Sequence, residues 1–90
     1  MTKRSPTKAD LGSFPHIESL VLGGYGDISI GRAYSIPCVA SAADEDQPLA
    51  MLVRRDGETL MQLLSRLDKA IGLALEHDQF VDEVNDGPDY

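Results

Sequence analysis

Apolar residues recur with helical spacing in one stretch of the chain, RRDGETLMQLLSRLDKAIGLALEHD, from Arg54 to Asp78. At 100° per residue, Leu60, Leu63, Leu64, Leu67, Ala70, Ile71 and Ala74 fall within about 60° either side of Leu67. Gln62, Arg66, Lys69 and Glu76 take the opposite half. Thr59 followed three residues later by Gln62 makes a capping box, which satisfies backbone donors at the helix start. Asp78 would return to the middle of the apolar stripe, so the pattern predicts a helix that ends near His77. Gly72 stands in its interior at a cost of roughly 0.5–1 kcal/mol relative to alanine. It shares a flank with Met61, Ser65 and Asp68, where either a close contact or mere tolerance would account for it. Met61, Leu73 and Leu75 lie outside the stripe and are candidate interface residues.

Upstream of Arg54 the pattern turns to short β-like runs. HIESLVL is an apolar run suited to a strand, closed by Gly23, Gly24 and Gly26. In DISIGRAYSI, Ile28 and Ile30 stand two apart on one face, and Gly31 marks a bulge. IPCVASAA is a further run that Pro37 confines to an edge or a strand start, and DEDQP reads as a turn. In LAMLVRR, Leu49, Met51 and Val53 alternate with Ala50 and Leu52, so both faces are apolar and the strand is central or doubly covered. Beyond Asp78, Phe80, Val81 and Val84 predict one more helical turn folding back on the body. The burial available to the helical stripe does not by itself offset the conformational entropy of ordering the segment. The helix must therefore lie on a sheet built from the preceding strands. The predicted fold is α+β, a small antiparallel sheet of three to four short strands with one C-terminal amphipathic helix packed on one face. Residues 1–13 read as a flexible leader, 14–84 as one domain and 85–90 as an acidic, disordered tail.

Length and composition sharpen this picture. The chain has 90 residues and no tryptophan, and its aromatics are Phe14, Tyr25, Tyr34, Phe80 and Tyr90. A chain of this size buries only about 60% of the surface it exposes when unfolded, so the core is thin. A homodimer formed through an exposed strand edge or the helix flank is expected on that ground. No run approaches the roughly 18 apolar residues of a membrane span. No apolar run follows Lys3 and Arg4, which speaks against a signal peptide. The single Cys38 excludes an internal disulfide framework and fits a reducing compartment, the bacterial cytoplasm being the expected one.

The formal charge of −7 is unevenly spread. Lys3, Arg4 and Lys8 make the start basic. Glu76, Asp78, Asp82, Glu83, Asp86 and Asp89 make the end acidic, and Asp44, Glu45 and Asp46 add a second acidic run. Such a balance disfavours direct nucleic-acid binding and suits either a basic protein partner or plain solubility.

Candidate chemistry is sparse. LGGYGDISIG lacks the lysine and the following helix of a phosphate loop, and the third glycine of a dinucleotide site, so a hairpin turn is the expected role. Cys38 has no base at a signature spacing, and His16 and His77 stand far from it in sequence. Two histidines and one cysteine show no metal-ligand spacing, and the Asp44–Gln47 run lacks the oxygen pattern of a calcium loop. No catalytic, cofactor or metal residues are expected. In RRDGET, Arg54, Arg55 and Gly57 stand at a helix start and form a candidate anion or partner contact, although Asp56 and Glu58 can neutralise the same arginines.

The strands followed by Gly57, Glu58, Thr59, Leu60 and the amphipathic helix resemble in outline the HicB-type antitoxin domain, over roughly residues 36–77. The family's Asp-Pro-Gly-Cys passage is missing, and an acidic tail stands where a further strand would follow the helix. The resemblance implies an acidic protein that neutralises a basic partner. The expected function is a non-enzymatic interaction or regulatory module, with an acidic antitoxin-like protein docking on a basic, nucleic-acid-acting partner as the alternative.

Overall fold

The first element among the described residues is a helix, where an apolar strand was expected. Helix α1, Pro15–Leu22, occupies the HIESLVL segment. Proline at the first helical position and glycines beyond the last are the helix-favouring asymmetry, and Ile17, Leu20 and Val21 repeat with spacing i, i+3, i+4. Gly24, at φ +79°, and Gly23 end it, with the Tyr25 N–H donating back to the Leu20 carbonyl at 2.9 Å. The glycine cluster therefore links a helix to a strand and is not a hairpin turn. The structure, a computed structural model, describes residues 13–85, so the expected leader and acidic tail lie almost wholly outside the described residues.

Three antiparallel strands follow: β1 (Gly26–Ala33), β2 (Ile36–Asp44) and β3 (Pro48–Val53). The DISIGRAYSI run divides at Tyr34 and Ser35, whose φ values of 54° and 65° give the two-residue turn that matches strand twist. No Asn-Gly or Asp-Gly signal announced it. Gly31, at φ +145°, sits at a register shift in β1, as its residue type predicted. Pro37 stands at the second position of β2, where the missing N–H is tolerated. The DEDQP turn is closed by Asp44, whose Oδ1 accepts from the N–H groups of Asp46 (2.7 Å) and Gln47 (2.9 Å).

Helix α2 spans Leu60–His77, and both halves of the capping box form between Thr59 and Gln62. It lies on β2 and β3. There Leu63, Leu67, Ala70, Ile71 and Ala74 pack with Ala40, Ala42, Ala50 and Leu52 in the buried cluster. Alanines on the sheet keep the helix close. Leu49 joins the same cluster because the pairing steps from Ala42–Ala50 to Ala43–Pro48, skipping Leu49 in a bulge. Leu60 is 57% exposed, although its angle places it on the stripe. It opens the helix at a corner of the body, where its neighbours Thr59, Met61 and Gln62 are exposed as well.

The sheet is mixed. After α2, strand β4 (Val81–Asp82) pairs parallel to β3, through Ala50–Val81 and Met51–Asp82, where a helical turn was expected. The sheet order is β1-β2-β3-β4, which makes β3 an interior strand. A helix crossing between β3 and β4 is the connection that a parallel pair requires. Asp78, in the left-handed region at φ 55°, ends α2 and turns the chain toward β4.

Helix α1 packs on α2 and β1, and Gly72 explains how closely it meets α2. A methyl group built on Gly72 would stand 2.7 Å from Cε1 and 2.9 Å from Nε2 of His16. Gly72→Ala is therefore expected to be neutral or destabilising in the native chain, despite a helix-propensity gain of about 1 kcal/mol. In a His16→Ala background the same change is expected to stabilise by up to that amount. Urea unfolding of the double-mutant cycle measures the coupling.

Candidate functional site

On the helix circle Arg66 and Asp68 stand about 100° to either side of Leu67. Each anchors one flank of α2. Arg66 sits where β3, the Asp56–Gly57 turn, α2 and β4 meet. Its Nε and one terminal nitrogen donate to Glu58 at 2.7 and 2.9 Å, and its other terminal nitrogen donates to Glu83 Oε2 at 2.9 Å. A further N–H reaches the Val53 carbonyl at 3.0 Å. Glu83 Oε1 accepts from the Val53 N–H at 2.9 Å, and the Glu83 N–H donates to the Met51 carbonyl, so the residue after β4 is tied back to β3. The Arg66 guanidinium beside Glu58 holds that carboxyl down to about 2, aided by the Arg55 backbone N–H and opposed by burial. Arg66 is in turn raised by its bonds to Glu58, with burial opposing.

Arg54, Arg55 and Gly57 are brought together on this turn, around Glu58. The Arg54 Nε donates to the Glu58 carbonyl at 2.7 Å, and the Arg55 N–H donates to Glu58 Oε1 at 2.9 Å. The Arg55 side chain reaches outward and stands 3.7 Å from Glu83. Gly57 supplies the turn at φ +79°, with open space where a side chain would stand. The cations of this corner are thus met by Glu58 and Glu83, and the helix start is met by Thr59 and Gln62. Arg66 itself gave no sequence signal beyond a polar position, because its partners stand 8 and 17 residues away.

Asp68 anchors the other flank. Buried at 7% exposure, it accepts through Oδ1 from the N–H groups of His16 and Ile17, each at 2.8 Å. It thereby caps α1 from a distance, since Phe14 at the N-cap position offers no side-chain cap. Its Oδ2 lies 3.1 Å from His16 Nδ1, and Glu76 Oε2 lies 3.3 Å from His16 Nε2. The bond to Asp68 raises the His16 imidazole above its ordinary value, with burial opposing and Glu76 adding to the rise.

Met61, Leu73 and Leu75 are 46%, 37% and 51% exposed, and they do not form one patch. Leu75 borders a recess of about 360 Å³ with Ser19, Leu20 and Tyr25, rimmed by Asp44, Glu45 and Asp46. Leu73 lines a shallower groove with Leu52, Ala70 and Val81, flanked by Arg66, Lys69 and Glu83. Met61 lies beside Phe14 and Ser65. The recess was illegible in the sequence, because α1, the turn after β2 and α2 each contribute to it. Cys38 is partly buried against the core. Among the described residues no three His, Cys, Asp or Glu side chains are grouped to hold a metal ion, and no helix is long and apolar enough to cross a membrane.

No family model, curated protein or solved structure matches this chain.

The Arg66 cluster yields a pH-dependent prediction. Glu58 is depressed in the folded state, so its contribution to stability is present above its ordinary value of 4.5 and is lost as the pH falls through about 2. Arg66→Met leaves two carboxylates facing each other without their cation, and is expected to cost about 3 kcal/mol at neutral pH. Urea midpoints of the two proteins should converge as the pH falls across that window.

Proposed function

We propose that the chain is a non-enzymatic interaction module, whose docking surface is the recess between α1, α2 and the turn after β2. The observation that supports this reading is the recess itself, lined by Leu20, Leu75 and Tyr25 together with three acidic residues. Such a surface suits a partner that presents an apolar side chain flanked by lysine or arginine. A homodimer belongs to the same reading. Strand β1 is eight residues long and forms one end of the sheet, its outer edge is free of a strand partner among the described residues, and Ile30 is exposed on it. A free edge of this length is a template for pairing with a second copy.

A second reading has its own support. The outline resemblance to HicB-type antitoxins calls for a strand after the helix, and β4 occupies that place, parallel to β3. On this reading the acidic rim docks on a basic, nucleic-acid-acting partner and neutralises it. Cytoplasmic residence suits both readings.

Affinity capture from the source cell separates the two. A small basic protein recovered at one-to-one stoichiometry and lost with Glu45→Lys and Leu75→Glu supports the antitoxin-like reading. A partner that does not act on nucleic acid but presents lysine or arginine beside an apolar side chain, lost with the same changes, supports the general module. Sedimentation is expected to give a dimer that Ile30→Lys dissociates; a monomer at high concentration rejects the dimer.

A further inference from the structure

The two bonds of the His16 ring impose a condition on its charge. Nδ1 faces Asp68 Oδ2 at 3.1 Å and Nε2 faces Glu76 Oε2 at 3.3 Å. An ionised carboxylate only accepts, and a neutral imidazole has one N–H and one lone pair. Both bonds exist together only when both ring nitrogens carry protons. Once a proton is lost, the ring keeps one carboxylate and turns a lone pair toward the other. Asp68 is held by the α1 backbone N–H groups as well and makes the shorter bond, whereas Glu76 is exposed and has the longer one. Glu76 is the partner that is released.

We infer that doubly protonated His16 is a clasp that holds α1 on α2, and that losing one ring proton loosens α1 from the body. Helix α1 has eight residues, too few to persist without its packing. Its attachment consists of Leu20 in the core cluster, Ile17 against that cluster, and the His16–Asp68–Glu76 group seated over Gly72. Among the described residues, the charged groups that act on the ring are Asp68 and Glu76, both from α2. Strand β1, the other element against α1, carries Asp27 and Arg32, and neither acts on the ring. Glu18 on α1 itself does not act on it either. The clasp therefore works against two carboxylates, Asp68 and Glu76.

Loosening has a consequence for the surface, and that consequence rests on the docking reading above. Ser19 and Leu20 of α1 form one wall of the acidic-rimmed recess, so the recess is complete only while α1 is seated. A mildly acidic medium seats α1 and completes the recess; an alkaline one opens it.

Hydrogen exchange on the whole, partner-free chain tests the clasp whether or not the docking reading holds. Amides at Leu20 and Tyr25 are compared with Leu67 and Ile71 in α2, at about pH 5.5 and about pH 8.5, on either side of the ordinary histidine range, after correction for intrinsic rates. The Leu20 and Tyr25 amides should lose roughly three- to tenfold protection relative to α2 at the higher pH, the size fitting a partly exposed ion pair. Glu76→Gln should reduce that dependence and leave the part that belongs to Asp68, because its amide can donate to a neutral Nε2. His16→Gln, which cannot titrate, should give a flat profile. Protection of α1 that tracks α2 in the native chain, or a pH dependence undiminished in either variant, overturns the clasp.

Discussion

A chain without tryptophan and with few other aromatics has one place where several large aliphatic side chains can leave water together. That place lies between α2 and the β2–β3 pair. Leu63, Leu67 and Ile71 descend from the helix, while Ala40, Ala42 and Ala50 on the sheet are small enough to let it come near. Burial of this stripe is the main favourable term open to so small a domain. The remaining elements are arranged around it. Helix α1 adds Leu20 at one side and β4 adds Val81 at the other.

Apolar burial is non-directional, and by itself it leaves the rotation of a helix about its axis loosely specified. Two polar groups supply that direction. Arg66 on one flank gathers Glu58, Glu83 and the Val53 carbonyl, and joins the end of β3 to the residue following β4. Asp68 on the opposite flank gathers two α1 backbone N–H groups and the His16 ring. Each group is half-buried or buried and hydrogen-bonded on several sides, the condition under which a buried charge is tolerated. Turning α2 would break both sets at once.

The same arrangement shapes the surface available to a partner. Because the flanks of α2 are covered by different neighbours, its apolar spillover is divided. Leu75 opens into the acidic-rimmed recess beside α1, whereas Leu73 faces the groove beside β4. At the RRDGET corner, the most suggestive cluster in the sequence, Arg54 Nε is held by the Glu58 carbonyl, while the Arg55 side chain stays largely exposed beside Glu83. The surfaces that bear on function therefore come from juxtaposition, and α1 is the element whose position the recess depends on.

Periodicity and local chemistry were enough for α2, its capping box, its end near His77, the central place of β3, the bulge at Gly31 and the turn at Asp44–Gln47. These features depend on residues within a few positions of one another, and side-chain spacing reports on them directly. The sequence misled where a distant group decided the outcome. Pro15–Leu22 is a helix capped by Asp68, 52 residues away from His16, and without that cap its short apolar run reads equally as a strand. Val81–Asp82 is a strand because β3 offers an open edge beside it, a partnership that two residues cannot announce. Leu60 is exposed because the helix begins at a corner of the body. Gly72 was the one local trace of a tertiary contact, noticed as an interior glycine and explained by the ring of His16. Tertiary structure alone decided which side chains meet across such distances, because hydrogen bonds and ion pairs between remote segments leave no period in the chain.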